Sequence, residues 1–170
     1  SSGKDCAFAL HRAQQTGTYR VVGALTTITS DFGRVSMHGV REELLDRQAS
    51  ALGLPLTKIG IPSPCPDDVY NAIMAEAMHD VAADGVRHVI FGDLFLEDVR
   101  TYREECLAEI GLTGLFPLWD HDTSELARDI LAAGIEAWVT CVDPKQLAPS
   151  FAGRRYDRAF IDDLPKGVDA

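Results

Sequence analysis

The sequence predicts an α/β fold of three layers, α/β/α, with helices on both faces of a mainly parallel sheet. Short apolar and β-branched runs alternate with stretches whose apolar residues recur at helical spacing, along the whole chain. Glycine or proline clusters punctuate most of the junctions. The 170 residues, 46% of them hydrophobic, are enough for one domain with its own core. No repeat, low-complexity tract or linker interrupts them, so residues 1–170 are expected to form a single domain.

The elements follow in order. Residues 1–6 run into a helical pattern with Cys6, Leu10 and Ala13 on one face and Gly17 closing it. Residues 19–27 read as a buried strand ending in Thr26 and Thr27. After a turn at 30–33 comes a helix with Val40, Leu44, Leu45, Ala51 and Leu52 as its stripe and Gly53 as its stop. Residues 56–61 form a short strand, and the prolines at 62, 64 and 66 exclude a regular element beyond it.

Asp67 and Asp68 open a helix with Val69, Ile73, Ala77 and Val81 on one face. Residues 88–91 are a strand leading into Gly92-Asp93. A helix over 97–110 turns Val99, Cys106 and Ile110 inward. Asp122 with Glu125 three residues on matches a capping box ahead of Leu126, Ile130 and Leu131. Residues 135–142 read as a last strand, and 156–164 hold a short helix. Right-handed crossovers would then bring Thr26, Gly92-Asp93 and Cys141-Val142-Asp143 to the carboxyl edge of the sheet, where such folds bind ligands.

A net charge of −10 argues against a broad nucleic-acid or anionic-membrane surface. Cys6, Cys65, Cys106 and Cys141 show no C-x-x-C spacing, which fits a reducing compartment. No apolar run approaches the roughly 20 residues a membrane span needs, so the cytoplasm is the expected location.

The hexapeptide Ser1-Ser2-Gly3-Lys4-Asp5-Cys6 carries the clearest chemistry. Amides of a helix's first turn lack intrahelical acceptors, and the helix dipole places partial positive charge there. Lys4 adds a full charge, and Gly3 admits a phosphate close to the backbone. The G-x-x-x-x-G-K-[ST] spacing is absent. Asp5 either orients this loop or sits near a metal, or is simply an acid favoured by the dipole. Cys6 has no nameable base, which favours a packing role over nucleophilic chemistry. Asp93 either binds Mg²⁺ or caps the helix after it. Arg100 faces substrate or pairs with acids on its own helix. Trp119 is a core residue or a stacking platform. Arg154 and Arg155 bind an anion or form surface pairs. His11, His79 and His88 have no metal-ligand company and read as structural or surface residues.

Several of these stretches carry a family resemblance. Residues 1–6 resemble the S-G-G-K-D-S loop of the adenine nucleotide alpha hydrolases, the PP-loop ATPases. Met37-His38-Gly39, Phe91-Gly92-Asp93, Pro117-Leu118-Trp119 and Phe151-Ala152-Gly153-Arg154 follow in the order of one branch, the ATP-binding domain of diphthine–ammonia ligase and its relatives. Ser2 stands where glycine is usual and Cys6 where serine is usual. A thiol is the poorer hydrogen-bond donor.

The resemblance implies a Rossmann-like, HUP-type sheet, with ATP and Mg²⁺ as cofactors. Ser1, Ser2, Gly3, Lys4, Asp5, Cys6, Thr26, His38 and Gly92 would hold the nucleotide. Lys4 and Asp93 would be catalytic, with Asp93 on the metal, and Arg100, Trp119 and Arg154 would meet the substrate. The implied reaction cleaves ATP to AMP and pyrophosphate: a carboxylate, free or carried on a protein, becomes an acyl-adenylate that an amine displaces. A rival reading is a nucleotide-binding module without ligase chemistry. Sulfur transfer to tRNA is weaker, given the acidic surface and lone cysteines. In the family a central strand feeds the loop, so roughly five to eight further residues are expected before Ser1. A substrate motif is expected beyond residue 170, because 164–169 resembles the stretch preceding it.

Overall fold

The computed structural model describes residues 2–169. The elements run from α1 (Lys4–Gln15) through β1 (Ala24–Thr29), β2 (Arg34–Val35), α2 (Glu42–Leu52) and β3 (Leu56–Ile61). They continue through α3 (Asp67–Ala83), β4 (His88–Ile90), α4 (Glu97–Ala108), β5 (Thr113–Leu115), α5 (Thr123–Ala132) and α6 (Arg158–Asp162). The fold is mixed α/β as expected, with less sheet than the expected three-layer arrangement and no clear third layer. The strands form two small sheets, ordered β2-β1-β3 and β4-β5.

The parallel character holds within each sheet. β1 and β3 pair in parallel from Ala24↔Leu56 to Thr29↔Ile61, and β4 and β5 from His88↔Thr113 to Ile90↔Leu115. β2 alone runs antiparallel, meeting β1 at Ile28 and Thr29. The first four residues of β1 thus have a strand on one side only, and β4 pairs with β5 alone among the described residues.

The expected strand at 19–27 begins later, because pairing with β3 fixes its register from Ala24. The expected strand at 135–142 is a correction. That segment joins neither sheet; it bonds back on the chain just after it. Val139 N–H donates to the Arg154 carbonyl at 2.9 Å, Tyr156 N–H to the Ala137 carbonyl at 2.8 Å, and Trp138 bridges Arg155. Strands β2 and β5 were not anticipated, being too short to show alternation.

Some helix faces match the spacing, with Ala13, Leu45, Leu126 and Ile130 buried as expected, but in three helices a neighbour of an expected residue is buried instead. α2 buries Leu45 and Ala49, while Leu44 and Leu52 are exposed. α3 buries Met78 and leaves Val69 at the surface. α4 buries Leu107, and Cys106 faces solvent. In each case the neighbouring sheet or helix selects which of two adjacent apolar residues points inward. Signals at helix ends fared better. Asp122 caps α5 by accepting from the Glu125 amide at 2.9 Å. Gly53 ends α2 at φ 65°, a left-handed angle suited to glycine.

The largest cluster joins α1, α5 and α6. Phe8 and Ala9 meet Leu126, Ala127 and Ile130, with Leu118, Tyr156 and Phe160 closing the group. Leu118, Leu126 and Ile130 are fully buried, each worth about 1.5–3 kcal/mol over an exposed side chain. This packing holds the start of α1 against the end of β4.

Candidate functional site

The N-terminus of α1 is the centre of the site. Gly3 is its N-cap, with φ −77° and ψ 165°, angles any residue adopts, and glycine brings no side chain to cap the turn. The amides of residues 4–6 therefore keep the donor character that a helix start offers to anions. Gly92, just beyond β4, lies against this turn. A Cβ there would come within 2.7 Å of the Cys6 nitrogen and 2.9 Å of the Asp5 carbonyl carbon. The expected adjacency of hexapeptide and Gly92 is thus realised, and it explains why glycine occupies position 92.

Lys4 lines a cavity of about 390 Å³ whose far wall is residues 137–143, with Tyr156, Phe160 and Asp169 beside it. Its ammonium pairs with Asp5 at 2.9 Å and lies 5.4 Å from the centre of the Tyr156 ring. Tyr156 is 4% exposed, and its hydroxyl is buried with no hydrogen-bond partner among the described residues. Burial, with the charges of Asp5 and Asp169 adding to it, pushes the phenol pKa up to about 12.

Of the other loop residues, Ser2 accepts from Gln48 Nε2 of α2 at 3.4 Å through its carbonyl. Cys6 is half-buried with a free thiol. Ser1 lies outside the described residues. Thr26 is 5% exposed in the middle of β1, on the same face as Ile28, which packs against Leu45 of α2. His38 is exposed beside Met37, whose φ is 65°. Neither Thr26 nor His38 lines the Lys4 cavity.

Asp93 turns towards α4. Its Oδ2 stands 3.0 Å from Arg103 Nε, although the two are not aligned for a hydrogen bond. The Arg103 guanidinium also stacks 4.5 Å from Phe91. Arg100 pairs with Glu104 at 2.8 Å and lies 4.9 Å from Phe116 and 4.6 Å from Trp119. Trp119 is half-buried in this stack. Arg154 pairs with Asp163 at 2.8 Å and packs over Phe151 and Phe160. Each candidate substrate arginine is thus engaged within the chain.

Sequence reasoning brought Cys141-Val142-Asp143 to the ligand edge, and they do line this cavity; it missed Tyr156 and residues 137–140 of the same wall. Tyr156 follows directly on Gly153-Arg154-Arg155, so its neighbourhood was marked, but an aromatic residue there reads as core. The residues fit a polyphosphate through a cation and a helix start that no side chain caps, while Gly92 packs against the backbone of that turn and does not itself line the Lys4 cavity. They do not fit a metal site built by the protein alone. No group of three His, Cys, Asp or Glu able to hold an ion occurs among the described residues, and Asp93 already has a cationic partner. No described helix is long and apolar enough to cross a membrane.

No curated protein matches the chain. The family model described as "Diphthamide synthase N-terminal domain" matches residues 1–114, from the loop through β4, α4 and the start of β5. The chain belongs to this family, a branch of the ATP-utilising PP-loop ATPases related to diphthine–ammonia ligase.

Proposed function

We propose that the protein binds ATP through the first turn of α1 and uses it to activate a carboxylate, in the manner of an AMP-forming amide ligase. Lys4 and the amides of residues 4–6 hold the polyphosphate, and Gly92 keeps the backbone of β4 close behind them. The acceptor carboxylate attacks the α-phosphorus, pyrophosphate departs, and ammonia or another amine displaces AMP from the acyl-adenylate. Positioning and charge stabilisation supply the first step, so the chain need provide no nucleophile. Mg²⁺ would arrive with the phosphates. The observation that carries this reading is the contact between Gly92 and the Lys4-bearing turn beside a cavity.

One observation favours the second reading, a nucleotide-binding module without turnover: Asp93 is held by Arg103 rather than presented to a metal. Incubation of the full-length protein with Mg-ATP and candidate carboxylates separates the two. AMP and pyrophosphate support the ligase, binding without turnover supports the module, and orthophosphate refutes cleavage at the α-phosphate. In either case Lys4→Ala should weaken ATP binding about tenfold or more, the loss typical of a charge-assisted contact. Unchanged affinity removes the loop from the account.

A further inference from the structure

Tyr156 has a feature that packing does not explain. Its ring belongs to the core with Phe160, 5.6 Å away between centroids, yet its hydroxyl is buried without a partner among the described residues. A phenylalanine would fill the same space without leaving a polar atom unsatisfied. The residue also lines the cavity opened by Lys4, and the Lys4 ammonium covers its ring. That ammonium is held in turn by Asp5 at 2.9 Å. An anion that draws Lys4 away from Asp5 also draws it from the face of the Tyr156 ring.

We propose that Tyr156 is a ligand-binding residue of the phosphate loop, its hydroxyl donating a hydrogen bond to a phosphoryl oxygen of the nucleotide that Lys4 engages. This deepens the proposed function and rests on it. In the free protein the Lys4 ammonium closes over the phenol. When Lys4 moves onto phosphate, two donors from opposite ends of the chain meet one anionic group. The hydroxyl remains protonated throughout the physiological range, so it acts as a donor and never as a competing anion.

The test compares Tyr156→Phe with the parent protein, using Mg-ATP and inorganic pyrophosphate as probes. Ligand-free thermal stability and dissociation constants are both read. The proposal expects opposite signs: a ligand-free melting temperature equal or higher, because an unpaired buried hydroxyl is gone, and ATP affinity weaker by about tenfold or more. Loss of pyrophosphate affinity in step places the contact on the β- or γ-phosphate. Loss confined to ATP places it on the α-phosphate. A lower melting temperature with unchanged affinity for both probes overturns the proposal and makes the hydroxyl structural. Lys4→Ala separates this failure from failure of the wider reading. If Lys4→Ala weakens ATP and Tyr156→Phe does not, the loop stands and Tyr156 is removed. If Lys4→Ala changes nothing, both fall.

Discussion

Replacing Gly92 by alanine tests the junction on which the site depends. The added methyl would lie 2.7 Å from the Cys6 nitrogen and 2.9 Å from both the Asp5 carbonyl carbon and Cys6 Cα. Such atoms rest about 3.5–4.0 Å apart, so the shortfall approaches 1 Å. All three are backbone atoms, and none can swing aside as a flexible side chain does. Nor can α1 retreat freely, since Phe8 and Ala9 are buried against α5. Overpacking of this kind costs about 1–3 kcal/mol. The larger effect should fall on chemistry, because a displacement near 1 Å at a positioning element can cost about 100-fold in rate. Urea denaturation reads the first quantity, and ATP binding with pyrophosphate release reads the second. Gly23→Ala is the control, since its Cβ meets only the Pro55 carbonyl oxygen, at an ordinary 3.4 Å. If Gly92→Ala matches the control in stability, affinity and turnover, the close approach has no consequence and the argument fails.

Two further predictions concern the core and pH. Ile130→Ala should cost about 2–5 kcal/mol in denaturant titration, while Leu52→Ala, at a position 46% exposed, should cost far less; equal losses would contradict the burial pattern. Tyr156 should make stability fall at high pH. Its pKa rises from the usual 10.0 to about 12 on folding, so its contribution is complete below pH 10 and is lost as the pH climbs towards 12. The integrated loss is roughly 2–3 kcal/mol, and Tyr156→Phe should remove it from the pH profile measured by denaturation.

Much of the fold was legible because some segments carry redundant signals. β3 is bounded by a glycine-leucine turn and a proline cluster, and α5 combines Asp122 as cap with Leu126 and Ile130 one turn apart. β2 and β5 were not legible, since two or three residues become strands only when a neighbour supplies the ladder. The segment at 135–142 misled for the opposite reason. Its apolar pattern suits a strand, and pairing with 154–156 satisfied it locally. At the site, the hexapeptide and Gly92 were visible as a loop and a small residue after a strand. Asp93, Arg100 and Arg154 were visible as charges, but their commitments to Arg103, to Glu104 with Trp119, and to Asp163 depend on distances that no spacing encodes. Tyr156 stayed hidden because an orphaned hydroxyl is a property of surroundings, not of residue type.

The opening turn of α1 is a crossroads. Ser2 reaches α2 through Gln48, residues 5 and 6 lie under Gly92, and Lys4 sits over Tyr156 near the other end of the chain. A guest seated there acts as a tie-bar between regions that share little other covalent or sheet connection. Occupancy at one hundred times the dissociation constant should raise the free energy of unfolding by about 2.7 kcal/mol. Damage to any one of the three spokes would slacken the hold of the other two.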